Sequence, residues 1–502
     1  MRILFLCSED KWLGVSYLSS YLKQHGHETD LLFDPLLFNK SYIRNERLGE
    51  IFSVDRKFIN RIEQTKPDLI GFSVVTANYQ WALQKAKLFK EHFKIPIIFG
   101  GPQVTIAADE VITNSCVDMV AVGEAEEALL ELLDTNLEKK DVKGIWFKDQ
   151  KNIIKNPLRP LETNIDKYPF PDDDLFYKQL PSSYRISPSV MSSRGCPFNC
   201  TYCGNQLMQK IYRDSGSVNW VRQRSVANVI EELQWRKEAH GSKHFVFMDD
   251  IFSANIDWLR EFVGEFKKKI NLTFNCLMHP SLAKEETIKL LKESGCTMVN
   301  FGLQSGSAKI RKNVLNRNEK NEKISQIAQA CKKYKLKFAV DCILNLPFDE
   351  EETINESMNF LNSLHPNIVN SYKLLYFPGT KIVEIAKDAG ILNDEDIEMI
   401  NKGKKGRYSS MGIDSKGASL DDYQKFALLI TLIPLIPQKL FTKILKNKSL
   451  VGIFKKIPLF FLPFIKVGVQ LKAGFGFILF NVMKNEVFYL KNHFKKVRVK
   501  HG

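Results

Sequence analysis

Met191-Ser192-Ser193-Arg194-Gly195-Cys196-Pro197-Phe198-Asn199-Cys200-Thr201-Tyr202-Cys203-Gly204-Asn205 sets three cysteines within eight residues, spaced C-x3-C-x2-C. They lie on a loop punctuated by Gly, Pro and Asn after the short apolar run Val190-Met191. Three thiolates on one loop can hold three corners of a four-iron cluster, the soft-ligand site that cysteine favours, and leave the fourth iron open. Structural zinc takes paired C-x2-4-C ligands and four in total, and the chain has no second pair. A zinc loop and incidental cysteines are the competing readings. The remaining cysteines are scattered singly, which argues against a disulfide framework and for a reducing cytosol.

Around this loop, apolar strand-like runs alternate with amphipathic helix-like runs. Strands are predicted at 188–192, 245–248, 273–277, 298–302, 338–344 and 368–375, with helices at 226–239, 258–269, 284–294, 324–333 and 351–364. Six such units predict a partial (β/α)6 barrel over 188–392, whose active site sits where the strands end. Polar groups gather at those ends: Asp249-Asp250, then Gly302-Leu303-Gln304-Ser305-Gly306-Ser307, then Asp341 to Pro347. Arg311, four residues past Ser307, could offer a carboxylate a bidentate fork or form a surface pair with Glu319 or Glu322. His279-Pro280 after the third strand reads more readily as a satisfied turn than as an acid or base.

Residues 1–135 show the same alternation, with strands at 2–7, 29–33, 69–75, 97–99 and 119–122. This is the pattern of a doubly wound parallel sheet, which binds ligands at the carboxyl ends of its strands. Ser73, Thr76, Gly100, Gly101, Gly123 and Glu124 cluster at those ends, where glycines would admit a large flat ligand and hydroxyls would supply adaptable hydrogen bonds. Residues 136–187 read as a linker, with a small hairpin turning at 149–152, five prolines and the run Asp172-Asp173-Asp174.

The formal charge of +15 is not spread evenly. From Lys439 onward there are fourteen Lys/Arg against one acid, Glu486, so the tail carries nearly all of the excess. Residues 393–502 begin with a basic loop at 401–410 and a helix at 420–433, and then alternate prolines with short apolar runs such as Ile457–Ile465 and Phe475–Phe480. No run approaches the ~20 residues of a spanning helix. Short apolar faces beside dense lysines predict an interfacial, membrane-surface segment in which Phe460, Phe461, Phe477 and Phe480 insert. The alternative is a helical subdomain packed on the barrel. Nucleic acid is not an expected partner.

The cysteine loop, with Tyr202 at its aromatic position, resembles the signature of the radical S-adenosylmethionine (SAM) superfamily. Asp249-Asp250, Gly302–Ser307 (Gln304 where Glu is common), Asp341–Pro347 (Asn345 where Gly is common) and Tyr376-Phe377-Pro378-Gly379-Thr380 resemble its strand-end motifs in order. The resemblance implies a [4Fe-4S] cluster on Cys196, Cys200 and Cys203. It implies SAM contacts from Tyr202, Asp249, Gln304, Ser305, Arg311 and Asp341, and a reductant such as flavodoxin or ferredoxin. Leu13–Leu18, Gly71–Thr76, Gly100–Thr105 and Gly123–Glu126 resemble the cobalamin-binding domain that precedes many such modules. That implies cobalamin on Ser73, Thr76, Gly100, Gly101, Gly123 and Glu124.

Two departures are visible. The Asp-x-His-x-x-Gly motif is absent, since Asp10-Lys11-Trp12-Leu13-Gly14 has no histidine, and Gln103 follows Gly-Gly-Pro where His is often found. The first implies cobalamin without a protein imidazole. The resulting expectation is a cobalamin-dependent radical SAM methyltransferase acting on a lipid-like or specialised metabolite. A ring-forming or rearranging relative and a non-enzymatic membrane-binding module are the alternatives. A methylthiotransferase is disfavoured, because the first domain holds only Cys7 and Cys116.

Overall fold

A computed structural model of the chain describes residues 1–38, 46–150, 152–217, 219–404, 420–455, 462–474, 484–485 and 487–491. The first sheet holds β1 (Arg2–Ser8), β2 (Glu28–Asp34), β3 (Leu69–Ser73), β4 (Ile97–Gly100), β5 (Met119–Ala121), β6 (Ile145–Asp149) and β7 (Asn152–Lys155). Their order is β2-β1-β3-β4-β5-β6-β7, and the first five strands are parallel. Buried runs such as Ile3 to Cys7 leave no solvent face, so helices cover both sides of the sheet. The strand order reverses beside β1, and the crevice at that switch point is where such folds take ligands.

The predicted hairpin forms, but it belongs to this sheet: β6 pairs antiparallel with β5. The first domain therefore runs through residue 155, and the linker is shorter than the sequence suggested. Nor is the run Asp172–Asp174 a solvated spacer. Asp172 accepts from Ser19 Oγ and Lys23 Nζ, each at 2.6 Å. Asp173 is buried between Lys11 and Arg236.

The second sheet begins at β8 (Ser189–Val190), followed by the small antiparallel pair β9 (Ser193–Arg194) and β10 (Arg222–Gln223). It continues with β11 (His244–Phe247), β12 (Thr273–Met278), β13 (Cys296–Gln304), β14 (Lys337–Leu344) and β15 (Ile368–Lys373). The order β15-β14-β13-β12-β11-β8, all parallel, is the expected six-stranded open barrel.

The barrel's packing does not stop at 392. Phe426, Leu429, Ile430 and Ile433, from the helix Leu420–Leu432 and the turn after it, lie inside the main barrel core, and so do Phe441 and Ile444 from the helix Gln438–Lys446. The amide of Asn362 donates to Gln438 O at 3.1 Å, and Gln438 Nε2 returns a bond to Asn362 O at 2.7 Å. Farther on, Tyr489 stacks on Phe33 of the first domain at 6.0 Å, and Asn485 accepts from Ser183 Oγ at 2.8 Å. This part of the tail is the subdomain that the sequence offered as the alternative. Phe460, Phe461, Phe477 and Phe480 lie outside the described residues. Among those described, no helix is long and apolar enough to cross a membrane.

Ile430 is fully buried in the barrel core. Ile430→Ala should therefore cost about 2–5 kcal/mol of stability, measured by chemical denaturation. A loss under about 0.5 kcal/mol, the level of a surface change, would mean that the helix lies free of the barrel.

Candidate active site at the domain junction

The cysteine loop leaves the barrel after β9 and is clamped from several directions. Gly195 adopts φ +89°, and a Cβ there would strike the carbonyl of Trp220, whose indole donates to Cys196 O at 3.0 Å. Thr201 Oγ1 donates to Val314 O at 2.6 Å, its amide donates to Leu315 O at 3.2 Å, and Asn316 Nδ2 holds Asn199 O at 2.9 Å. Phe198 stacks on the His279 ring at 3.7 Å. His279 is thus a packing partner of the loop, its Nε2 3.3 Å from Glu319 Oε1. Burial, then Arg317, push its pKa down to about 3, so it is neutral.

No disulfide joins any of the nine cysteines. Burial pushes Cys196 up to about 12 and Cys203 up to about 11, and raises Cys200 too. Thiols so disfavoured as anions need a strong cation to ionise them, and iron supplies one. Cys203 also stands at the N-cap of the helix Gly204–Asp214, whose positive end favours anionic sulfur. Among the described residues no three His, Cys, Asp or Glu are gathered tightly enough for a single metal ion. Three thiols on one loop match in number the protein ligands of a four-iron cluster with one open iron, and leave a zinc site one ligand short.

The barrel mouth supplies groups that the sequence did not single out. Arg317 is buried, with Nη1 3.9 Å from Cys200 Sγ and 3.3 Å from Tyr202 OH, and Nη2 donates to Gly302 O at 2.7 Å and pairs with Glu319. Arg311, the arginine chosen from sequence, is fully buried and far from a surface pair. It donates to Ser305 O at 2.7 Å and to Glu319 O at 3.1 Å, holding the loop that carries Arg317. Asp249 is buried too. Its Oδ1 takes Ser192 N at 2.9 Å, Ser192 Oγ at 2.7 Å and Ser193 Oγ at 2.6 Å, while Oδ2 has no partner. Its exposed neighbour Asp250 is the carboxylate felt electrostatically by Cys196 and Cys203, and it accepts from Asn205 Nδ2 at 3.0 Å.

Gln304 sits at φ +66° beside an irregularity in β13, and its amide folds back over Gly302. Ser305 is buried against Ser357, Oγ to Oγ at 3.2 Å. Asp341 lies inside the barrel and accepts from Asn300 at 3.0 Å and from Asn370 at 2.8 Å.

At the carboxyl ends of the first sheet, Thr76 Oγ1 donates to the buried Gln103 Oε1 at 2.6 Å, and Ser73 is half-buried. Ser8 Oγ, Ser16 Oγ and Gln103 Nε2 are buried without partners, which suits a ligand rich in hydrogen-bonding groups. The domain's three histidines, His25, His27 and His92, all lie at the opposite end, after helices or before β2. Two of the glycines have a different explanation from the one the sequence suggested. A Cβ on Gly101 would come 2.8 Å from Val74 O, and one on Gly123 would strike the Tyr212 hydroxyl. Gly100 meets only an ordinary contact, at 3.5 Å from Ala121 Cβ.

Glu124 is where the two domains meet. Its amide donates to Tyr212 OH at 2.6 Å, and its carboxylate accepts from Arg222 at 2.5 and 3.0 Å and pairs with Arg194 at 3.1 Å. Arg194 also reaches Glu126 at 2.7 Å. Burial works against the Glu124 charge, but Arg222 and Arg194 still hold its carboxyl below the usual range. Arg194 is two residues from Cys196, so one side chain links the cluster loop to the first sheet's strand ends.

Residues 190–361 match the radical SAM superfamily, and residues 8–133 match the B12 binding domain. The protein is a radical SAM enzyme with a B12-binding domain. Its cofactors are accordingly a [4Fe-4S] cluster, SAM and cobalamin. An uncharacterised methyltransferase of Pyrococcus horikoshii is 27% identical over 74% of this chain and 78% of its own. The anaerobic magnesium-protoporphyrin IX monomethyl ester cyclase of Cereibacter sphaeroides is 22% identical over 74% of this chain, which spans 60% of that protein. Among solved structures, the cobalamin-dependent SAM radical enzyme OxsB shares the fold, with a TM-score of 0.66 at 14% identity over 100% of this chain and 80% of the other.

Replacing Cys196, Cys200 or Cys203 with Ala should abolish cluster iron, because the loop carries no spare thiol. Cys276→Ala, Cys296→Ala and Cys331→Ala, at buried core positions, should keep iron near the wild-type content. Iron and sulfide assays after anaerobic reconstitution check both outcomes.

Proposed function

We propose that this radical SAM enzyme is a cobalamin-dependent methyltransferase acting on an unactivated carbon of an apolar, lipid-like or specialised metabolite. The observation that carries the proposal is the junction at Glu124, through which the strand ends suited to a corrinoid and the cysteine loop share Arg194. When bound, the cluster with SAM supplies a carbon-centred radical, and cobalamin supplies a methyl group.

The chain's own residues have distinct parts in this. Cys196, Cys200 and Cys203 would hold the cluster. Arg317 offers a guanidinium and Asp250 a carboxylate, the right charges to receive the carboxylate and amino groups of an amino acid. Ser73, Thr76, Ser8 and Ser16 line the corrinoid side, while Glu124 acts on the junction. Asp341, flanked by Asn300 and Asn370, would orient a polar group of the substrate inside the barrel. Exposed Met248, Phe348, Tyr372 and Leu375 at the strand ends of the mouth support an apolar substrate and would exclude water once it is seated.

The relationship to a cyclase favours ring formation as the second reading. Anaerobic protein with SAM, reductant and hydroxocobalamin should form 5′-deoxyadenosine, and Cys203→Ala should form none. Arg317→Ala should raise the apparent KM for SAM about 10- to 100-fold, as expected for a lost charge-assisted contact. In cells fed trideuteromethyl methionine, a product carrying the intact labelled methyl supports transfer. An unlabelled product with a new ring would establish the second reading instead.

A further inference from the structure

We propose that the helices after residue 433 form a docking surface for an anionic lipid bilayer, built at the end of the barrel opposite its mouth. The inference does not depend on which reaction the enzyme catalyses. The helices Gln438–Lys446, Lys448–Lys455 and Leu462–Lys472 each turn one face inward: Phe441 and Ile444, Val451 and Phe454, and Val469. Other faces carry large exposed apolar side chains, namely Leu440, Leu450, Ile453 and Leu471. Helical periodicity puts Leu450 with Ile453 on one stripe. The same periodicity sets the exposed Lys439, Lys443 and Lys446 together, opposite Phe441 and Ile444.

Apolar side chains grouped on an exposed face mark an interaction site. The charge selects it. The three helices contain no Asp or Glu and expose Lys439, Lys443, Lys446, Lys466 and Lys472, so the surface would repel a second copy of itself. It complements an anionic leaflet, where basic residues attract the protein and a few inserted apolar groups retain it. Two contacts fix where the surface lies. Lys337, the first residue of β14, donates to Ala473 O at 2.7 Å, and Gln438 bonds to Asn362 and Ser363 in the last turn of the helix Glu351–Leu364. Both belong to the amino-terminal end of the barrel strands, away from the cysteine loop. The surface would anchor the enzyme while the mouth faces the solution.

Truncation would not test this, because the first helices of the region are barrel core. Full-length reconstituted protein should instead be floated with vesicles of phosphatidylglycerol in phosphatidylcholine, and with phosphatidylcholine alone. Wild type should float with the anionic vesicles only, and less so at high salt. The variant Leu450→Ser/Ile453→Ser/Leu471→Ser should partition roughly tenfold more weakly, with circular dichroism and iron content unchanged. Lys439→Glu/Lys443→Glu/Lys446→Glu changes only exposed positions and should show a similar loss. The proposal is overturned if wild type fails to float, if both variants float as well as wild type, or if light scattering finds a dimer that the apolar variant dissociates.

Discussion

The half-buried carboxylate of Glu124 is held by two arginines of the other domain, and the arrangement at the cofactor-binding end follows from that constraint. A carboxylate removed from water is costly unless its hydrogen-bonding capacity is filled, and Arg222 and Arg194 fill it. Removing Glu124 would leave the buried Arg222 guanidinium without its carboxylate, the costly outcome for a charge held away from water. The two domains are therefore not free to rock at this edge. Arg194 precedes the first cysteine by two residues, and Glu124 ends the β5 loop.

A second set of buried charges does the same at another part of the interface. Lys11 and Tyr17 of the first domain, Asp173 of the linker, and Arg224, Glu232 and Arg236 of the barrel meet with almost no access to water. Arg236 pairs with Asp173 at 2.9 Å and with Glu232 at 3.0 Å, and also donates to Ser189 O at the start of the barrel. Burial, then Arg236, lower Lys11 to about 8 against the opposing pull of Asp173 and Glu232. A hydrophobic interface would tolerate sliding. Paired charges with defined partners specify one register.

The outer surface divides by chemistry. Apolar side chains around the mouth and a polar group within the barrel suit a substrate with both characters, while the basic helices at the far end serve another purpose. The helix Leu420–Leu432 belongs to neither face. It fills the barrel wall beside β15, which explains why a region that looked like an appendage is continuous with the core.

Much of this was legible in the residues themselves. Continuous apolar runs alternating with period-3.6 patterns, separated by Gly and Pro, determine both parallel sheets and their order of elements, because a buried parallel strand must be apolar on both faces. Spacing alone picks out the cysteine triad, since three thiols on one loop are brought together without help from the rest of the chain. The hairpin turn at 149–152 was visible too. Its place in the first sheet was not, because strand pairing depends on which edge is open. The tertiary structure alone decided which of two neighbouring aspartates faces the thiols and which of two nearby arginines stands beside Cys200. Asp249 and Asp250 differ by one residue, and Arg311 and Arg317 by six, so only the path of the loop assigns them. Glu124 carries the same lesson: its neighbours Arg194 and Arg222 are 70 and 98 residues away in the chain, and only folding brings their charges to it.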